Sequence, residues 1–112
     1  MNYKHQSLAS GRWKDFSLME QMANIGSEIE RAIAWRQKNN PKYSQMAFER
    51  GLELLELTIA DPRNRRRLKE LTRVREALLD YFMGDNQFRS SEKSWRNYFY
   101  AFGYAVSISK SR

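Results

Sequence analysis

The sequence predicts an all-α protein: a four-helix bundle, up-down-up-down, preceded by an extended N-terminal arm. Three observations predict it. Apolar residues recur at spacings of three and four in four separate stretches. Most of these stretches open on a capping residue or an Asn/Asp-Pro step and close on a short polar link. With 41% hydrophobic and 13% aromatic residues the chain is too apolar for disorder, and two prolines and five glycines in 112 residues are too few for a sandwich of short strands. That length suits a single domain with a real core.

Residues 1–16 hold isolated aromatics, Tyr3, Trp13 and Phe16, without a sustained period, and read as an arm that docks through Trp13. Ser17-Leu18-Met19-Glu20 has the spacing of a capping box. The first helix follows, with Leu18, Met22, Ile25, Ile29 and Ala32 or Ile33 on one stripe as far as about Lys38. Asn39-Asn40-Pro41 closes it and starts the second, since asparagine caps well and proline at the first helical position sacrifices no hydrogen bond. There Phe48, Leu52, Leu55 and Ile59 form the core face, widened by Tyr43, Ala47, Leu54 and Thr58, up to Ala60. Gly51 on that face signals the close approach of a neighbour. Glu49, Glu53 and Glu56 make an acidic stripe elsewhere.

Asp61-Pro62 then begins the third helix, with Leu68, Leu71, Leu78, Leu79 and Phe82 inward and a stop at Gly84. Residues 84–89 form the longest loop. Ser90 or Ser91 caps the fourth helix, whose core face is Trp95, Tyr98, Phe99, Phe102, Ala105 and Val106. It frays near Ser109 into a basic tail of Lys110, Ser111 and Arg112. The organisation expected is thus an arm over 1–16, a bundle over 17–109 and a tail over 110–112.

The residue types present narrow the chemistry. Without cysteine there is no disulfide framework, thiolate zinc site or cysteine nucleophile. Carboxylate-bridged metal bundles use Glu-x-x-His pairs, and His5, the only histidine, lies in the arm. No glycine-rich phosphate loop follows a strand, and the serines at 17, 90 and 91 sit where caps belong. We therefore expect no catalytic residue, no cofactor and no metal. The N-terminus lacks the apolar stretch of a secretory signal and no apolar run reaches membrane-span length, so a cytoplasmic protein without a membrane partner is expected.

Twenty Lys and Arg against 13 Asp and Glu give a formal charge of +7, and the basic residues cluster. Arg63, Arg65, Arg66 and Arg67, continued by Lys69 and Arg73, fall at a predicted helix N-terminus, where the helix dipole disfavours cations. Either they fold back on Glu53 and Glu56, or an anionic partner (RNA, DNA or an acidic protein) meets them. Arg75 falls within the stripe of Leu68, Leu71, Leu78 and Phe82, and a cation there needs a carboxylate, for which Glu28 is the candidate partner in a buried ion pair. Gln21, Asn24, Glu28 and Arg31 form a polar flank on the first helix that serves as a site or as an inter-helix hydrogen-bonding face. The fourth helix is apolar nearly all round. Its second face, Arg96, Tyr100, Tyr104 and Ile108, predicts a homo-oligomer contact, with base stacking on the two tyrosines as the alternative.

Two stretches, Ser17–Glu28 and Asp80–Asn86, resemble a group of small bacterial all-helical proteins with no assigned activity, over residues 17 to about 105. In architecture the chain is also similar to basic four-helix bundles of the rRNA intervening-sequence type, which assemble as rings. In size it is similar to HEPN domains, frequent in toxin–antitoxin pairs. The first likeness supports the helical fold. Active HEPN domains carry an Arg followed a few residues on by a His, a pair this chain lacks, so that resemblance implies an inactive or divergent component acting through a protein partner. The sequence as a whole points to a non-enzymatic, self-associating bundle with a basic binding face.

Overall fold

A computed structural model describes residues 11–110. Tyr3, His5, Ser111 and Arg112, named above, lie outside the described residues. Four α-helices carry the fold: α1 (Leu18–Gln37), α2 (Pro41–Ala60), α3 (Leu68–Met83) and α4 (Glu92–Lys110). There is no strand among the described residues, and no helix there is long and apolar enough to cross a membrane. The helices run up, down, up and down. Arg50 meets Glu28 across α1 and α2, Phe82 stacks on Phe48 across α2 and α3, Tyr98 reaches Glu70 across α3 and α4, and Arg96 pairs with Glu30 across α4 and α1.

Local chemistry sets the helix starts as expected. Ser17 accepts from the Glu20 N–H while Glu20 accepts from the Ser17 N–H, a complete capping box. The Asn40 side chain accepts from the Tyr43 N–H, with Pro41 at the first position of α2. At α4 it is Ser91 that caps, through reciprocal bonds with Ser94. Before α4, the Asp80 carboxylate accepts from the backbone N–H groups of Gln87 and Phe88, and Asn86 ties itself to Ser90 in both directions, so the 84–91 loop is pinned from within.

The core lies between α1 and its two neighbours. Met22, Ile25, Ile29, Ala32 and Ile33 of α1 meet Ala47, Phe48, Leu54 and Leu55 of α2 on one side and Trp95, Phe99 and Phe102 of α4 on the other. Two glycines let the helices close. A Cβ at Gly51 would stand 3.1 Å from Ile29 Cδ1, and one at Gly26 would stand 2.7 Å from Phe99 Cβ. The predicted close approach at Gly51 is present; the tighter one, at Gly26, escapes periodicity because nothing in the sequence shows which side of α1 takes α4. On α2 the core face is shifted from the expected one. Tyr43 is exposed at 46% and packs edge-on against Trp35, while Leu52 and Ile59 are only partly buried.

Several further expectations are corrected. The arm is not extended where it is described: Arg12–Asp15 form a 3-10 turn that buries Trp13 in the core. The third helix does not begin at Pro62. Pro62–Arg67 form a separate 3-10 turn, and α3 starts at Leu68, itself 40% exposed. The inward stripe of α3 is Leu71, Val74 and Leu78, so Val74 takes the place assigned above to Arg75. Arg75 does not reach Glu28. It lies toward α2 and donates to Glu56 at 3.3 Å, partly exposed, while Glu28 accepts from Arg31 at 2.6 Å and from Arg50 at 3.1 Å. Leu71 to Leu78 is two helical turns that can be split as four and three, through Arg75, or as three and four, through Val74; the core takes the second, which is why the alternation counted from the exposed Leu68 misplaces the arginine. Of the acidic stripe, Glu53 is buried and Glu56 accepts from Arg75.

Candidate functional site

The arginine run is shaped by a polar knot beneath it. A 3-10 turn has three residues per turn, so Asp61, Asn64 and Arg67 fall on one side, and the first two are buried. Asn64 Nδ2 donates to the Thr58 carbonyl and to Gln21 Oε1, both at 3.0 Å. Gln21 Nε2 donates to the Trp13 carbonyl and to Asp61, and Trp13 Nε1 donates to the Thr58 hydroxyl. Each buried polar group here has a partner, as burial requires. The knot joins the N-terminal turn, α1, α2 and the arginine turn. Gln21 thus belongs to the packing, Asn24 bonds to the Glu20 carbonyl, and the polar flank of α1 does not gather into one site.

Arg63 is drawn into this arrangement. Its guanidinium grips Asp61 through Nε and Nη2, the shortest contact being 2.6 Å, and Nη2 also donates to the Phe16 carbonyl. The Arg63 side-chain bonds hold the Asp61 carboxyl down at about 2; burial opposes them, and the Arg63 N–H, Gln21 and the arginine's charge add to them. Arg63 is therefore a clasp for the Asp61-Pro62 junction. None of the run folds back on Glu56, which accepts from Arg75 instead.

Arg66, Arg67, Lys69 and Arg73 surround one surface depression of about 450 Å³, with Glu70 as its only acidic neighbour. Lys69 and Arg73 lie one helical turn apart, about 6 Å along the axis. Glu70 is engaged from within: Arg67 donates to it from Nε and Nη2, the latter at 2.7 Å, and the Tyr98 hydroxyl donates at 2.7 Å. Partial burial opposes its ionisation, yet Tyr98 and Arg67 outweigh that and hold the carboxyl below its usual range. Burial and the Glu70 charge push the Tyr98 hydroxyl the other way, far up. Arg67 also lies over the Phe102 ring, 6.0 Å from its centre. What the depression presents outward is then the charge of Arg66, Lys69 and Arg73. Arg65 is exposed but does not line it. Of the six cations that residue spacing groups, Arg66, Arg67, Lys69 and Arg73 come together here while Arg63 and Arg65 do not line the depression, and spacing does not single out the partner Glu70, although the i, i+3 offset from Arg67 is a readable signal.

On α4, Arg96 donates to Glu30 of α1 at 2.9 Å, and Tyr100 and Tyr104 stack with ring centres 6.2 Å apart. Beside them runs a groove of about 590 Å³ between α1 and α4, lined among others by Ala23, Ser27, Trp95, Tyr100 and Gly103. This groove depends on which helices pair, so no local pattern announces it. No protein-family model, curated protein or solved structure matches the chain.

Proposed function

We propose that this protein binds nucleic acid through the face built from Arg65, Arg66, Arg67, Lys69 and Arg73. The observation that carries the reading is the convergence of unmatched cations on one depression. Five other arginines find carboxylates: Arg31 and Arg50 meet Glu28, Arg63 meets Asp61, Arg75 meets Glu56 and Arg96 meets Glu30, while Arg36 lies over the Tyr81 and Phe82 rings. Arg65, Arg66, Lys69 and Arg73 make no ion pair among the described residues, and the one carboxylate near them is already held by Arg67 and Tyr98. Guanidinium forks suit phosphate oxygens.

The depression is lined by charged side chains alone. A partner protein would need an apolar centre for a stable contact. A polyanion does not, because its affinity comes from charge neutralisation and counterion release.

The test is fluorescence anisotropy with labelled RNA and DNA, single- and double-stranded, over a range of salt. We expect log K to fall linearly with log salt, and Arg66→Ala, Lys69→Ala and Arg73→Ala each to reduce the slope by about 0.7–0.9. Arg63→Ala should leave the slope unchanged. A flat salt dependence, an unchanged slope in the triple variant, or displacement by a polyglutamate competitor at equal charge would each overturn the proposal, the last in favour of an acidic protein.

A further inference from the structure

The face of α4 opposite the core carries both a projection and a recess. Tyr100 and Tyr104 are 72% and 56% exposed, stacked on each other, with Ile108 continuing the same side. Next to them the α1–α4 groove is floored by small residues, Ala23, Gly26, Ser27 and Gly103. Gly103 is the informative one. A Cβ there would meet nothing within 4 Å, so no contact inside the protein calls for a glycine in the middle of this helix, where it weakens the helix relative to alanine. Its effect is to leave the groove open. Trp95 also lines the groove, and its indole N–H is the one buried side-chain polar atom among the described residues without a partner.

Charge selects the occupant. From Asn97 to Ser109 there is not one charged residue, in a chain that is 29% charged and carries +7. The charges at the groove's rim are matched internally, Glu30 with Arg96 and Arg31 with Glu28. A phosphate backbone or an acidic partner finds no unmatched charge to hold there. Two copies at +7 each repel one another overall, and a face without charge is where that repulsion opposes contact least. A projection lying beside a recess on one face is also what a two-fold contact needs, since the same patch must serve both subunits.

We propose that the α1–α4 groove receives the exposed α4 tyrosines, Tyr104 foremost, of a second copy, reciprocally about a two-fold axis, with Gly103 keeping the recess clear.

Sedimentation equilibrium of the nuclease-treated full chain tests this independently of nucleic-acid binding. The expected result is a dimer that dissociates on dilution. Tyr104→Ala, which removes the projection, and Gly103→Leu, which fills the recess, should each weaken it by about tenfold or more. Ser27→Leu blocks the groove from α1 and stands in if Gly103→Leu fails to fold. Mixing the Tyr104→Ala and Gly103→Leu chains should yield a heterodimer, because one intact projection then meets one intact recess. Monomer throughout for the unsubstituted chain, undiminished dimer in both variants, or no heterodimer from the mixture would each overturn the proposal.

Discussion

At Asp61 a single carboxylate accepts from the Arg63 N–H, the Arg63 guanidinium and Gln21, and so ties the end of α2 to α1 and to the arginine turn. Its ionisation is therefore linked to folding. With the folded carboxyl at about 2 against 3.8 for the free group, the unfolded chain takes up the proton first as pH falls. The stabilisation is complete above about pH 4 and is lost as pH drops toward 2. Glu20 and Glu70 are lowered too and add to the same acid limb. Asp61→Asn keeps the shape and removes the charge, and we expect it to cost about 1–3 kcal/mol at neutral pH by urea unfolding. The difference between the two chains should shrink steadily below pH 4. A constant difference down to pH 2 would mean that Asp61 acts through shape alone.

The helices make the next prediction through a pair of glycines that the sequence leaves indistinguishable. Gly26 sits where α1 crosses α4, and a methyl group on it would lie 2.7 Å from Phe99 Cβ, so Gly26→Ala forces the two helices apart and should cost about 1–3 kcal/mol. Gly103 faces open space, so Gly103→Ala, measured dilute, should stabilise the fold by up to about 1 kcal/mol through helix propensity. Thermal or urea unfolding of both decides, and equal effects would contradict the packing described. The contrast shows where sequence reasoning reaches. Capping at Ser17 and Asn40 and the stripes of α1 and α4 follow from local chemistry, and they are legible. The 3-10 turn is not, because Asp61-Pro62 announces a helix start equally well, and the bonds that anchor Pro62–Arg67, those of Asn64 to Gln21 and Thr58 and of Arg63 to Asp61 and Phe16, depend on the tertiary fold. The place of Arg75 is missed for a different reason: within α3 the buried stripe runs Leu71, Val74, Leu78, and spacing alone does not choose Val74 over Arg75. The cations at 66, 69 and 73 stay grouped because they project outward under either reading.

Across the whole molecule, charge is arranged at a cost to stability. Arg66, Lys69 and Arg73 lack carboxylate partners among the described residues, stand about the positive N-terminal end of α3, and add to the repulsion within a chain of +7. If they serve an external anion, the fold gains by losing them. Replacing all three by alanine should raise the thermal midpoint modestly at low salt, by about 1–3 °C, in the same protein that loses nucleic-acid affinity. The rise should shrink as salt increases, since at about 1 M the screening length is only about 3 Å, leaving the small helix-propensity gain of alanine. Arg67→Ala should do the reverse. It strips Glu70 of its closest cation and removes the guanidinium from Phe102, so the seam between α3 and α4 weakens and the midpoint falls. Paired melts at low and high salt measure both. A triple variant that melts lower than the unsubstituted chain at low salt would show that these cations hold the fold together, and the basic face would then be structural.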